Sequence, residues 1–147
     1  MASLTDLSNA IQTRIGAAAN VPGAKLVQED AGNVPVQIEK QLGSVGLMAL
    51  LGTPAFTNDD PLSLLINARI KVQILVMEVP ALWRKDAGRV HGPDWGRQIA
   101  AALQALNVPG FQDLRLLSGG PVEPPKDADA VNLYRLEIET MQIFSAT

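Results

Sequence analysis

Two long segments of the chain alternate between apolar and polar residues, the pattern of a β-strand with one buried face. In the first, Ala68 to Val79, isoleucine and valine alternate with Arg69, Lys71 and Gln73. In the second, Val131 to Phe144, aromatic and aliphatic residues alternate with arginine and glutamate. The pattern predicts two long strands that each present one face to a core.

The polar face of each predicted strand turns apolar toward its C-terminal end. This happens through Leu75, Met77 and Val79 in the first strand and through Met141 and Ile143 in the second. A face in contact with water does not need these residues, whereas a face covered by another subunit does. Met77, Val79, Met141 and Ile143 are therefore candidates for an interface between subunits.

Amphipathic helices are predicted in two places. Within residues 1–20, apolar residues recur at three- and four-residue spacing behind Thr5 or Asp6 as a capping candidate. A second helix is expected from residue 95 or 96 to residue 106, with Asp94 placed to cap it. These two helices would supply much of the layer that packs on the sheet.

The remaining segments give weaker patterns. The stretch from Val21 to Asn33 is expected to be irregular, and Gln37 to Leu42 allows a strand or, as we favour, a short helix. The apolar run from Ser44 to Phe56 is expected to be a strand, followed by a polar turn at Thr57 to Pro61. The strand predicted at Ser44 to Phe56 can pair with the first long strand as a hairpin.

The order of elements predicts a single domain over residues 1–147 of the α+β class. A short strand at residues 113–117 and long loops at residues 80–94 and 118–130 complete the chain. We expect an antiparallel or mixed sheet of about four strands with two or three helices packed on one face.

Composition narrows the function without naming it. The 147 residues are 47% hydrophobic, enough for one core, and carry a formal net charge of −3. This charge gives no reason to expect binding to nucleic acid or to an anionic membrane surface. The chain has no cysteine, and neither a signal peptide nor a membrane span is evident. We therefore expect a soluble intracellular protein.

Candidate chemistry is sparse. His91 is the only histidine, so His-His and Cys-His metal pairs are impossible, and Asp59 and Asp60 have the context of a turn. Glu137 and Glu139 could be an acid–base pair, but nearby arginine favours cross-strand ion pairing. No catalytic residue, cofactor or metal is expected. A second hypothesis keeps a small-ligand or enzymatic module with His91 and Glu78 as its acid–base pair, and a third is a regulatory dimer that pairs through a sheet edge.

The loop at residues 80–94 concentrates aromatic and cationic residues. Trp83, Arg84 and Arg89 are of the two types that most often dominate protein interfaces, so they join the interface candidates. For Trp83 a position in the core is an equal alternative. Trp95, at the start of the predicted helix, is expected to be a core residue.

Two segments carry a resemblance to a known family. The run Glu78-Val79-Pro80-Ala81-Leu82-Trp83-Arg84, which ends the first long strand, and the run Asn132-Leu133-Tyr134-Arg135-Leu136-Glu137-Ile138 resemble the tail terminator or tail-completion proteins of tailed bacteriophages and phage-like elements. In that family a strand typically ends in Glu, Pro and Arg, and the Arg often follows an Asn where this chain has Trp83. The resemblance extends from about Val34 to Phe144.

The resemblance implies a structural protein without enzymatic activity. Such a subunit would form a ring with copies of itself, commonly a hexamer, at the head-proximal end of a tail tube. The ring would stop polymerisation of the tube and offer a surface to the neck. The implied partners are the tail tube protein and the neck or connector proteins. The implied locations are the host cytoplasm during assembly and then the tail of the virion or phage-like particle.

Overall fold

A computed structural model of the chain describes residues 1–124 and 130–145. Within these residues it has six strands and four helices around one sheet. The elements in chain order are α1 (Leu4–Ala18), β1 (Lys25–Gln28), α2 (Val34–Ser44), β2 (Leu47–Leu51), β3 (Ala55–Asn58), β4 (Leu65–Glu78), α3 (Pro80–Trp83), α4 (Gly92–Leu103), β5 (Arg115–Val122) and β6 (Asn132–Ser145).

The sheet is mixed, with strand order β1-β2-β4-β6-β5, and β3 pairs with β4 beyond the end of β2. The two predicted long strands, β4 and β6, are confirmed and lie antiparallel along their full 14-residue lengths. Among the described strands, β1 and β2 are the one parallel pair. The chain connects them through α2, because parallel neighbours cannot be joined by a tight turn.

The larger core lies between the sheet and the pair α1 and α4. Even-numbered residues of β4, from Ala68 to Val76, point into it, as the period of two requires. We call this side of the sheet the α1/α4 face. Its helix side chains recur at helical spacing and are Leu7, Ile11 and Ile15 from α1 with Ile99 and Leu103 from α4.

A smaller core lies on the opposite side of the sheet, which we call the α2 face. There Val34 of α2 packs with Met48 and Met77, and Ile38 and Leu42 add partly buried contacts. The expectation of helices on one face only is therefore wrong. The α+β class and the mixed sheet are as expected, but the sheet has six strands rather than about four.

Local differences from the sequence predictions concern short elements. The stretch from Val21 to Asn33 contains β1, and β3 starts within the apolar run but continues into the expected polar turn. In α1 the cap is Ser3 rather than Thr5 or Asp6. Its hydroxyl accepts from the Asp6 N–H at 3.0 Å, and its own N–H donates to the Asp6 carboxylate at 2.9 Å.

Both segments expected to be long loops contain regular secondary structure. Residues 80–94 contain α3 and the first turn of α4, whose N-cap is His91 rather than Asp94. The second long loop was predicted at residues 118–130, but β5 extends to Val122. The part of that loop at residues 125–129 lies outside the described residues.

Candidate functional site

The C-terminal end of β4 is fixed by an ion pair within the chain. Glu78 is the last residue of β4, and Pro80 at the first position of α3 turns the chain back. Arg84 then donates from Nε and Nη2 to the two Glu78 carboxylate oxygens at 3.0 and 2.6 Å. Since Glu78 is only 1% exposed, this two-point contact supplies the partner that its buried charge requires.

This geometry gives a physical reason for the spacing of Glu, Pro and Arg at the strand end. The hydrogen bond to Glu78 raises the pKa of the Arg84 guanidinium, so the arginine stays charged. Arg84 is therefore engaged inside its own subunit rather than free for a partner carboxylate. Its side chain is 32% exposed, so the ion pair is not fully shielded from solvent.

Trp83 is a core residue, 1% exposed. Its indole Nε1 donates to the Val90 carbonyl at 2.7 Å, and the guanidinium carbon of Arg89 lies 4.3 Å from the ring centroid. Arg89 also pairs with Asp86 at 3.3 Å. Of the two alternatives for Trp83, the structure favours the core, where the side chain has almost no surface left for a partner. Trp95 is also buried, as expected.

Met77 and Val79 lie at the same end of the sheet. Met77 is buried in the smaller core beneath α2, so its apolar position is covered by the chain itself. Val79 is half-buried, and its N–H donates to the Gly46 carbonyl at 2.7 Å. The structure thus brings five of the seven interface candidates together at what we call the closed end: Met77, Val79, Trp83, Arg84 and Arg89.

Met141 and Ile143 lie at the other end, where β4 begins and β6 ends. They stand opposite Arg69 and Asn67 on the α2 face, beyond the part of the sheet that α2 covers. Ile143 is 56% exposed, and Met141 is partly buried. These two candidates keep the surface position that an interface requires.

Most of the large exposed apolar residues of the described chain cluster at this same end. In the loop between β3 and β4, Leu62 and Leu64 are 97% and 88% exposed. Phe56 and Met1 line a slot of about 140 Å³ on the α1/α4 face. We call the whole set the apolar tip; it comprises Met1, Phe56, Leu62, Leu64, Leu65, Met141 and Ile143.

Most of the apolar tip was not found from the sequence. Phe56 lay at the end of a predicted buried strand, and Leu62 and Leu64 lay next to a segment read as a polar turn. The signal that could have found them is the run Pro61-Leu62-Ser63-Leu64-Leu65, which puts three leucines directly after a segment rich in turn residues.

A ladder of charges connects the strands directly behind the tip on the α2 face. Asp59 pairs with Arg69, Arg69 also contacts Glu139, and Glu139 contacts Arg115, at 2.9, 3.2 and 2.7 Å. The hydrogen bond with Asp59 raises the pKa of Arg69. Cross-strand pairing of Glu139 is thus confirmed, although its partners are Arg69 and Arg115. Glu137 accepts a hydrogen bond from Gln73 instead.

Glu78 and His91, the acid–base pair of the enzymatic hypothesis, are not linked by a hydrogen bond among the described residues. Both carboxylate oxygens of Glu78 accept from Arg84, and His91 is exposed. Glu78 does line a cleft of about 230 Å³, whose other walls are mainly proline and aliphatic or aromatic side chains. Such a cleft can hold an apolar group, and Tyr134 is the one other titratable side chain that its described lining presents beside Glu78.

No group of histidine, aspartate and glutamate in the part of the chain that the structure describes could hold a metal ion, and no helix there is long and apolar enough to cross a membrane. No known family model matches the chain, and no curated protein sequence matches it either.

Proposed function

We propose that this protein is a structural assembly subunit that forms a ring on the end of a tail tube and joins tail to neck, as the resemblance to tail terminators implies. The apolar tip is the observation that carries the proposal. It concentrates six of the eight large exposed apolar residues of the described chain at one end of the sheet. A solvated monomer gains nothing from such a surface, whereas a subunit that buries it on assembly does.

The shape of the tip favours enclosure by more than one surface. Leu65 and Ile143 lie on the α2 face, Phe56 lies on the α1/α4 face, and Leu62 is in the loop between the strands. A single flat partner surface could cover only one of these sides. A position between neighbouring subunits, or between a subunit and the tube, covers both.

The size of the tip is that of an interface centre rather than a whole interface. It exposes on the order of 300–500 Å² of apolar surface, taking the area that burial of each side chain removes from water. A stable interface buries about 800 Å² on each partner. The charged ladder behind the tip is placed to supply part of the polar rim.

The experiment replaces the two most exposed tip residues together, Leu62→Ser and Leu64→Ser. Wild-type protein added to polymerising tail tubes should fix their length, as measured by negative-stain electron microscopy. The double variant should bind tube ends more weakly by about 2 kcal/mol or more and let the tubes overgrow. Val36→Ser is the matched control, since Val36 is 64% exposed on α2 and outside the tip. Wild-type protein that neither binds tube ends nor limits tube length would contradict the proposal.

A further inference from the structure

One outer edge of the sheet has no neighbouring strand along β3 among the described residues. β2 and β3 follow one another along the same side of β4, from Leu51 opposite Ile74 to Ala55 opposite Lys71. β1 pairs with the outer side of β2 and ends at Gln28. Among the described residues no strand continues that position beside β3, whose four residues are all exposed. We call the outer side of Ala55–Asn58 the open edge.

The backbone groups of the open edge alternate between bonded and free. The Asp59 N–H donates to the Asn67 carbonyl at 2.9 Å, so Asp59 faces β4. In an antiparallel pair the next residues alternate, which turns Thr57 inward and the N–H and C=O groups of Phe56 and Asn58 outward. The open edge therefore offers ladder groups to an added strand, with the half-exposed Phe56 ring beside them.

The other outer edges are protected by the chain itself. On β5 the Leu116 N–H donates to the Gln104 side chain at 2.8 Å, Pro121 has no N–H, and the register shifts between Leu116 and Ser118. On β1 the Leu26 carbonyl accepts from the Gln12 side chain at 3.4 Å. Such devices prevent unwanted strand pairing. β3 carries none of these devices.

Acidic residues lie at both ends of the open edge. Glu29 and Asp30 follow β1 at one end, and Asp59 and Asp60 follow β3 at the other. Of these, only Asp59 forms an ion pair among the described residues, with Arg69. The nearby cations without an ion pair there are Lys71 and Arg135, which share a cleft of about 450 Å³ with Glu29. They are outnumbered by the acids without an ion pair, which are Glu29, Asp30 and Asp60. The edge is therefore complementary to a segment with basic ends.

We propose that the open edge binds an extended segment of a protein partner as an added β-strand. The segment carries basic residues at its two ends and an apolar residue that packs on Phe56. Main-chain hydrogen bonds to Phe56 and Asn58 supply the ladder, and the side chains supply selectivity. This binding does not depend on ring formation.

A second copy of this chain fits the open edge poorly. Pairing of β3 with β3 about a twofold axis is antiparallel, so Asp59 and Asp60 of each copy would meet Glu29 and Asp30 of the other. Like charges placed opposite one another are destabilising. The remaining edges of a second copy are the protected ones on β1 and β5. The charge pattern therefore selects a different, basic partner segment.

The test uses a synthetic peptide of alternating valine and threonine with lysines at both ends, and a matched peptide with glutamates in place of the lysines. Binding is measured by fluorescence anisotropy, and amide exchange by NMR on the full chain. The lysine peptide should bind at least about tenfold more tightly than the glutamate peptide. It should slow amide exchange at Phe56 and Asn58 and leave Thr57, which already faces β4, unchanged.

Charge-reversal variants test whether the acidic residues at the ends of the open edge select the peptide. The double change Asp30→Lys and Asp60→Lys should weaken the lysine peptide by about tenfold and improve the glutamate peptide. Glu39→Lys, on the exposed side of α2, should change neither. Equal binding of the two peptides, or binding that leaves Phe56 exchange unchanged, would overturn the proposal. Protection of Phe56 that grows with protein concentration alone would assign the edge to a second copy and overturn it as well.

Discussion

The two ends of the β4–β6 pair carry similar apolar residues but differ in what covers them. At the closed end Met77 lies beneath α2, and Trp83 lies in the larger core with Arg89 over its ring. At the apolar tip Ile143 and Leu62 have no such cover and stay more than half exposed. An apolar strand end thus indicates that something covers it. Only the placement of the other elements shows whether the same chain or a partner does so.

The largest expected effect at the closed end is that of Trp83→Ala. It removes a buried indole, its hydrogen bond to the Val90 carbonyl and the ring under Arg89. We expect the free energy of unfolding to fall by about 3–5 kcal/mol. Urea titration of the purified chain measures it, and Trp83→Phe, which keeps an aromatic ring, should lose less.

The same variant tests the comparison between the two ends. If Trp83 belonged to an interface, Trp83→Ala would leave the unfolding midpoint near that of the wild type and impair association instead. That result would show that a partner covers the closed end, and the two ends would then not differ in what covers them.

Met77→Ala should have the next largest effect. Met77 fills the smaller core between the sheet and α2, together with Val34 and Met48. Its truncation leaves a cavity that costs about 2–4 kcal/mol. Calorimetric unfolding measures the loss. A change below about 0.5 kcal/mol, the range of ordinary surface substitutions, would show that α2 does not pack there.

Arg84→Met should destabilise the chain by a smaller amount. It leaves the buried Glu78 carboxylate without its partner, which costs about 3–5 kcal/mol in a fully buried pair. Because Arg84 is partly exposed, we expect a smaller loss of about 2 kcal/mol. Adding Glu78→Gln should recover part of the loss, because the unpaired charge is removed. Chemical denaturation of both single variants and the double variant forms the cycle. A double variant less stable than Arg84→Met alone would contradict this account.

The sequence predicted the elements whose signals are local. The alternation in β4 and β6 and the helical spacing in α1 identify long elements from their own residues, and the structure confirms them. β1 was missed because four residues carry little pattern and become a strand only by pairing with β2, which is distant in sequence. The side of the sheet that α2 covers also depends on this pairing.

The candidate site was predicted only in part for the same reason. Met141 and Ile143 followed from the alternation in β6, and the structure leaves Ile143 exposed. Leu62 and Leu64 have no periodicity, because they lie in a loop. Their role depends on which surface the other elements leave uncovered after folding. A local sequence pattern does not carry that information. At the closed end, Trp83, Arg84 and Arg89 were selected by residue type, and these types suit a core or an ion pair as well as an interface.

The smallest expected effect on stability is that of Ile143→Ala, the counterpart of Met77→Ala on the other long strand. Both residues are apolar and lie on the α2 face, but Ile143 is 56% exposed whereas Met77 is 6% exposed. Removing Ile143 should change the free energy of unfolding by less than about 0.5 kcal/mol, since more than half of it stays in contact with water after folding. Its effect should appear instead in binding to tube ends, measured on the same samples. A loss of stability as large as that of Met77→Ala would show that the apolar tip is covered within the subunit and has no surface left for a partner.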